Sequence, residues 1–143
     1  MQMFLDEAAR MDRHYRYQRH IYDATRTRYL IGRMPMLRQL CPPADGSVLE
    51  VACGTAWNLI RAARLYPDTR LFGIDVSTAM LETAGQAIAR AGLTRRIRIA
   101  QADATVLDTQ RAFAEASFDR VFVSYALSMI PGWRRALAAA ARV

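Results

Sequence analysis

Phe4, Ala8, Met11, Tyr15 and Tyr22 fall at spacings of four, three, four and seven, one apolar stripe of a helix from Met3 to about Tyr29. Arg10, Arg13, Arg16 and Arg19 recur at every third position and make a second, basic stripe. Gly32 and Pro35 punctuate the segment, a short helix is predicted from Met36 to Leu40, and Cys41 to Gly46 reads as a loop. Beyond it the period changes. Ser47-Val48-Leu49-Glu50-Val51 is a short buried strand that breaks into the small residues Ala52-Cys53-Gly54-Thr55-Ala56. A helical stretch, Trp57 to Tyr66, ends near Pro67, and the strand Leu71 to Ile74 closes on Asp75. Ser77 is the expected N-cap of a helix reaching about Arg90, with Gly92 as its stop signal. Ile97 to Ala102 gives a third strand and Phe118 to Val123 a fourth. Pro131 and Gly132 precede a last helix, Trp133 to Arg142. Strands alternating with helices predict an α/β domain with a parallel sheet of about four strands. Residues 1–45 are expected to form a helical segment facing substrate or membrane, and residues 46–143 the sheet core.

Composition narrows the class. With 52% hydrophobic and 23% charged residues the chain reads as a soluble globular protein. It has no apolar run near the roughly 18 residues of a membrane span. Asp6 and Glu7 follow the opening Met1 to Leu5, where a secretory signal would place basic and then apolar residues. The expected location is the cytoplasm, with peripheral contact at the inner face of the membrane. All 20 basic residues are arginine, and the net charge is +7. Residues 1–45 hold eight arginines against five acids. Such a surface suits an anionic partner, and in the absence of a nucleic-acid motif the phospholipid headgroup layer is preferred. Cys41 and Cys53, with His14 and His20, are too few and too scattered to predict a disulfide framework or a metal site.

The strand ending at Glu50, its small-residue turn and the helix start at Trp57 make a nucleotide-binding turn. Small residues let the backbone approach a ligand, and the helix N-terminus offers N–H groups to an anion. Asp75 lies about 20 residues on, where a carboxylate accepts hydrogen bonds from ribose hydroxyls. A dinucleotide fingerprint needs small residues at the first, third and sixth positions. Here the sixth is Trp57, too large for close helix–strand packing. Small residues at the first, third and fifth positions, Ala52, Gly54 and Ala56, fit instead.

Val48 to Ala56 resembles motif I of the class I S-adenosylmethionine methyltransferases. Ile74 to Leu81 is similar to that family's second motif, Gln101 to Ala104 to its third-strand motif, and Phe118 to Ala126 to its fourth-strand motif. The resemblance runs from about Ser47 to the end and implies a Rossmann-like sheet with S-adenosyl-L-methionine as cofactor. It implies a cofactor site of Glu50, Ala52, Cys53, Gly54, Asp75, Val76, Met80, Asp103, Ala104, Ser124 and Tyr125. Backbone around Ala52 and Gly54 would face the methionine moiety, and Asp75 the ribose. Val76 and Met80 would flank the adenine, Asp103 and the Ala104 N–H would read its edge, and Ser124 and Tyr125 would sit beside the sulfonium. Taken alone, Asp103 reads first as a turn acid and Met80 as helix core, and in the company of the four motifs the cofactor roles are preferred. The family usually has glycine where this chain has Ala56, whose small methyl is either tolerated or crowds the cofactor carboxylate and weakens binding. Further strands normally follow the last helix in the family. Their absence is expected to leave the fourth strand, Val121 to Val123, as a bare apolar edge, and reads as a C-terminal truncation or as a chain that needs a partner to cover that edge.

Met11 to Arg26 is similar to the N-terminus of the diacylglyceryl-homoserine N-methyltransferases of betaine-lipid synthesis, as is Ser124 to Pro131 after the fourth strand. That resemblance implies a lipid amine methylated to a trimethylated headgroup. Transfer to a neutral amine needs alignment rather than a nucleophile or a metal. Tyr22, Tyr29 and Tyr125 are candidates to hold the partly methylated ammonium by cation–π contact. Arg16, Arg19, Tyr22 and Arg26 are candidates to bind the substrate or membrane phosphates. A solvated basic face with packed tyrosines explains the same residues. Another acceptor, such as a quinone precursor or small amine, and a non-catalytic cofactor-binding module stay open.

Overall fold

The computed structural model describes residues 31–143. The predicted helix over Met3–Tyr29, and with it Arg16, Arg19, Tyr22, Arg26 and Tyr29, lies outside the described residues. Four parallel strands, β1 (Ser47–Val51), β2 (Arg70–Asp75), β3 (Ile97–Gln101) and β4 (Arg120–Val123), form one sheet in the order β3-β2-β1-β4. Every residue of β1 is buried, because it is an inner strand covered on both faces, which is why it reads as a run and not as an alternation. The chain winds from β1 outward to β3 and then returns to place β4 on the other side of β1. That reversal puts the switch point, where open α/β sheets bind ligands, at the carboxyl ends of β1 and β4.

Helices cover both faces. On one side α1 (Arg33–Gln39), α2 (Trp57–Leu65) and α3 (Thr78–Arg90) contribute Leu37, Leu59, Ala62, Ala84 and Ile88 to a core with Val48, Leu71 and Phe122. On the other, Leu49, Val51, Phe72 and Ile74 pack with Phe113 of α4 (Thr109–Phe113) and with Ala140 of α5 (Trp133–Ala140). Phe72 centres that layer, edge-to-face with Phe113 and Phe118 at 5.2 and 5.1 Å.

Ser77 caps α3 as expected, its hydroxyl accepting from the Met80 N–H at 3.2 Å, and Gly92 adopts φ +70 just past the helix. The starts of α1 and β4 differ from the expectation, and one helix, α4, is additional to it. α1 begins at Arg33, upstream of Pro35, because a proline in the first helical turn forfeits no intrahelical bond. α4, five residues capped by Asp108, is too short to show a period. β4 starts at Arg120 rather than Phe118, because the Asp119 carboxylate accepts from the Ser47 N–H at 2.8 Å and hydroxyl at 3.1 Å. Upstream, the Phe118 N–H donates to the Val143 carbonyl at 3.0 Å. β4 pairs with β1 alone among the described strands, yet its side chains are not bare. Phe122 is buried in one core, and Val121 and Val123 pack against the other.

Candidate cofactor site

The turn after β1 runs through three left-handed residues in alternation, Ala52 (φ 59), Gly54 (φ 55) and Ala56 (φ 64). These are the first, third and fifth positions that the sequence keeps small. Small side chains are needed here because L-residues meet their following carbonyl in that conformation. The Ala56 methyl is fully buried in the core, on a left-handed backbone that an L-residue adopts only with strain. Cys53 continues the ladder, its N–H donating to the Ile74 carbonyl at 2.8 Å. The turn lies so close to β2 that a Cβ on Gly73 would meet Cys53 Sγ at 2.8 Å and Leu59 Cδ1 at 2.6 Å.

Asp75, at the end of β2, closes the arrangement. Its Oδ2 accepts from the Gly54 N–H at 2.8 Å and its Oδ1 from the Ser77 N–H at 2.9 Å. Both oxygens are therefore held by backbone N–H groups, one from the turn and one from the residue that caps α3. The Gly54 amide is thereby tied to the end of β2. Glu50 is 1% exposed and accepts from Asn58 Nδ2 at 2.5 Å. Burial pushes the Cys53 thiol well above its ordinary range, and the Asp75 and then the Glu50 carboxylates push it the same way. The two carboxylates thus both lie near the buried Cys53 thiol beneath the turn.

The remaining residues gather along the same edge. Val76 is half-buried, its carbonyl accepting from Gln101 Nε2 at 3.0 Å, and Met80 is buried on α3. Asp103 caps the short turn that begins at Ala104, its Oδ1 accepting from the Thr105 N–H and hydroxyl at 2.8 Å. It is a turn acid, with its other oxygen outside that cap. Ser124, directly beyond β4, is 9% exposed, and its Oγ has no hydrogen-bond partner among the described residues. Tyr125 follows at φ 56, half exposed, its hydroxyl donating to the Ile31 carbonyl. The described residues hold no cluster of three or more His, Cys, Asp or Glu able to bind a metal ion.

Two residues escape a reading by motif. Asn58 is 3% exposed and joins Glu50 to Arg33, whose Nε donates to Asn58 Oδ1 at 2.9 Å. A polar residue on the buried face of an otherwise amphipathic helix start is the one signal of it in the sequence.

A parallel doubly wound sheet, a left-handed small-residue turn at the switch point and an acid at the end of the neighbouring strand define a nucleotide-cofactor domain. The chain belongs to the methyltransferase-domain family, whose model matches residues 48–143. It is 28% identical over 111 residues to the demethylmenaquinone methyltransferase of Geobacillus stearothermophilus, covering 77% of this chain and 45% of that protein. The enzyme of the same name from Porphyromonas gingivalis is 31% identical over 115 residues, 80% of this chain and 44% of its own length. The chain thus spans about half the length of these relatives. Among solved structures, the YcgJ protein of Bacillus subtilis superposes with a TM-score of 0.67 at 25% identity, over 78% of this chain and 45% of that one. A SAM-dependent methyltransferase from Thiobacillus denitrificans, solved with S-adenosylhomocysteine, shares the fold with a TM-score of 0.61 at 19% identity over 77% and 42%. The relatives carry a quinone-precursor name, not that of the betaine-lipid enzymes the N-terminus resembles.

Proposed function

We propose that this chain binds S-adenosyl-L-methionine at the carboxyl edge of its sheet and serves methyl transfer to a lipophilic acceptor. The observation that supports this most is the tie between Gly54 and Asp75, which holds the left-handed turn against a carboxylate at the switch point. The residues fit the cofactor's chemistry. Glu50 and Asp75, at the carboxyl ends of neighbouring strands, would supply negative charge for a ligand cationic at its sulfonium and ammonium, and the N-terminus of α2 the opposite for its carboxylate. Val76 and Met80 offer apolar surface for a base, and Ser124 Oγ a buried hydroxyl in need of a partner.

When bound, S-adenosylmethionine supplies a methyl group that moves by in-line displacement, the acceptor's electron pair forming the new bond as the carbon–sulfur bond breaks. The protein's share is alignment and exclusion of water. Two acceptors are in view. The curated relatives favour a quinone precursor, and the likeness of residues 11–26 to the betaine-lipid enzymes favours a diacylglyceryl-homoserine amine. No helix among the described residues is long and apolar enough to cross a membrane, so either lipid would be met by peripheral contact of this arginine-rich chain with anionic headgroups.

Incubation with methyl-labelled S-adenosylmethionine and each lipid acceptor in turn tests the reading. Label in demethylmenaquinone and not in the homoserine lipid selects the first acceptor, and the converse the second. Cofactor binding with label in neither supports a binding module without turnover.

A further inference from the structure

β1 and α2, which flank the turn, are joined to α1, 25 residues upstream of Asn58, through one buried chain of hydrogen bonds. Arg33, the first residue of α1, donates from Nε to Asn58 Oδ1 at 2.9 Å. Asn58, the second residue of α2, donates from Nδ2 to Glu50 Oε1 at 2.5 Å. All three side chains are at least nine-tenths buried, at 9%, 3% and 1% exposure. The polarity of this chain is fixed by chemistry. A guanidinium only donates and a carboxylate only accepts, so the amide between them has one favourable orientation. With Arg33 removed, Asn58 loses the partner that holds its oxygen away from Glu50.

The anchorage of Arg33 is not left to one bond. Its guanidinium stacks over the Trp57 ring at 4.0 Å, and Arg61 lies over the same ring at 5.0 Å. The far end of α1 is pinned as well. The Tyr66 hydroxyl donates to the Leu37 carbonyl at 2.8 Å and accepts from the Cys41 N–H at 3.2 Å. Arg120 Nε donates to the Leu40 carbonyl at 2.7 Å. Glu50, the last member, sits at the carboxyl end of β1, two residues before Ala52 opens the left-handed turn at the switch point.

We propose that Arg33 and Asn58 are positioning residues, which hold the Glu50 carboxylate toward the cationic amino-acid end of the cofactor and so make docking of α1 a determinant of cofactor affinity. This rests on the cofactor reading above. It differs from a purely structural role in one consequence: the relay supports the amino-acid half of the ligand and leaves the adenosine half alone.

Two probes separate the halves. S-Adenosylhomocysteine carries the ammonium and carboxylate, whereas 5′-methylthioadenosine keeps the nucleoside and lacks both. Calorimetric titrations of the 143-residue chain, of Asn58→Leu and of Arg33→Met are compared with each probe. The expected result is a loss of about tenfold or more in affinity for S-adenosylhomocysteine in both variants, with 5′-methylthioadenosine within about twofold of wild type. Retained binding of the second probe also shows that a variant is folded, and Arg33→Met carries the comparison should Asn58→Leu not fold. Equal losses on both probes, or no loss on either, would overturn the relay while leaving the cofactor reading intact. A folded wild-type chain that binds neither probe would remove the cofactor reading and the relay together.

Discussion

The Gly54 N–H donates to the Asp75 carboxylate at 2.8 Å, joining residues 21 apart in the chain and locking the turn after β1 to the end of β2. Asp75 holds Ser77 with its other oxygen, and Ser77 in turn caps α3. One buried acid therefore organises the turn, the strand end and the next helix. Asp75→Asn leaves the size unchanged but turns an amide NH2 against one of two backbone donors. The expected destabilisation is about 1–3 kcal/mol, the cost of leaving a buried donor unsatisfied. A urea melt followed by circular dichroism measures it, and an unchanged midpoint would show that the carboxylate is not the organiser.

Gly73 is demanded by packing. A methyl there meets Leu59 Cδ1 at 2.6 Å and Cys53 Cβ at 2.9 Å, both anchored in the core. Gly73→Ala is expected to cost about 1–3 kcal/mol through overpacking. Thermal denaturation checks this. A variant as stable as wild type would mean the turn can lift off β2 freely.

Ala52 and Ala56 share a left-handed backbone but differ in what a methyl contributes. Ala52 is half-buried, so Ala52→Gly relieves strain at little cost and should stabilise by on the order of 1 kcal/mol. Ala56 is fully buried, and Ala56→Gly removes a methyl worth roughly 0.8 kcal/mol along with the strain, for a change near zero. Paired melts of the two variants test the contrast, which the reverse ranking would contradict.

The two cysteines should behave differently toward a thiol reagent. Cys41 is exposed, whereas Cys53 is buried with its thiol raised by desolvation and by the Asp75 and Glu50 carboxylates. One thiol is expected to react in the native chain and two after denaturation. Because the folded-state thiol is raised, the unfolded chain gives up this proton first. Stability is then full below the unfolded value of about 8.5 and falls as pH rises through it toward the folded one. Melts between neutral and alkaline pH should show that slope in wild type and a shallower one in Cys53→Ala. Two fast native thiols would contradict the burial.

Much of the frame is legible from local pattern. β1 is an unbroken buried run, and the turn announces itself by three small residues whose left-handed backbone explains them. Ser77 and Gly92 bracket α3 by their own chemistry. What escaped depends on tertiary partners. The start of β4 is set by Asp119 reaching Ser47, 72 residues away. The start of α1 is marked by Arg33, buried against Asn58 and Trp57 from a helix 25 residues on, and no spacing rule joins these. Asp103 shows the limit within a motif. Its type and place are readable, but its capping of Thr105 is seen only once the backbone turns.

The most direct measurement is a calorimetric titration of the 143-residue chain with S-adenosylhomocysteine beside an Asp75→Ala control. The expected result is saturable one-site binding in wild type, at least tenfold weaker in the control, a difference of about 1.4 kcal/mol or more. A folded chain with no saturable heat, or a control that binds as tightly as wild type, would contradict a cofactor site built on Gly54 and Asp75.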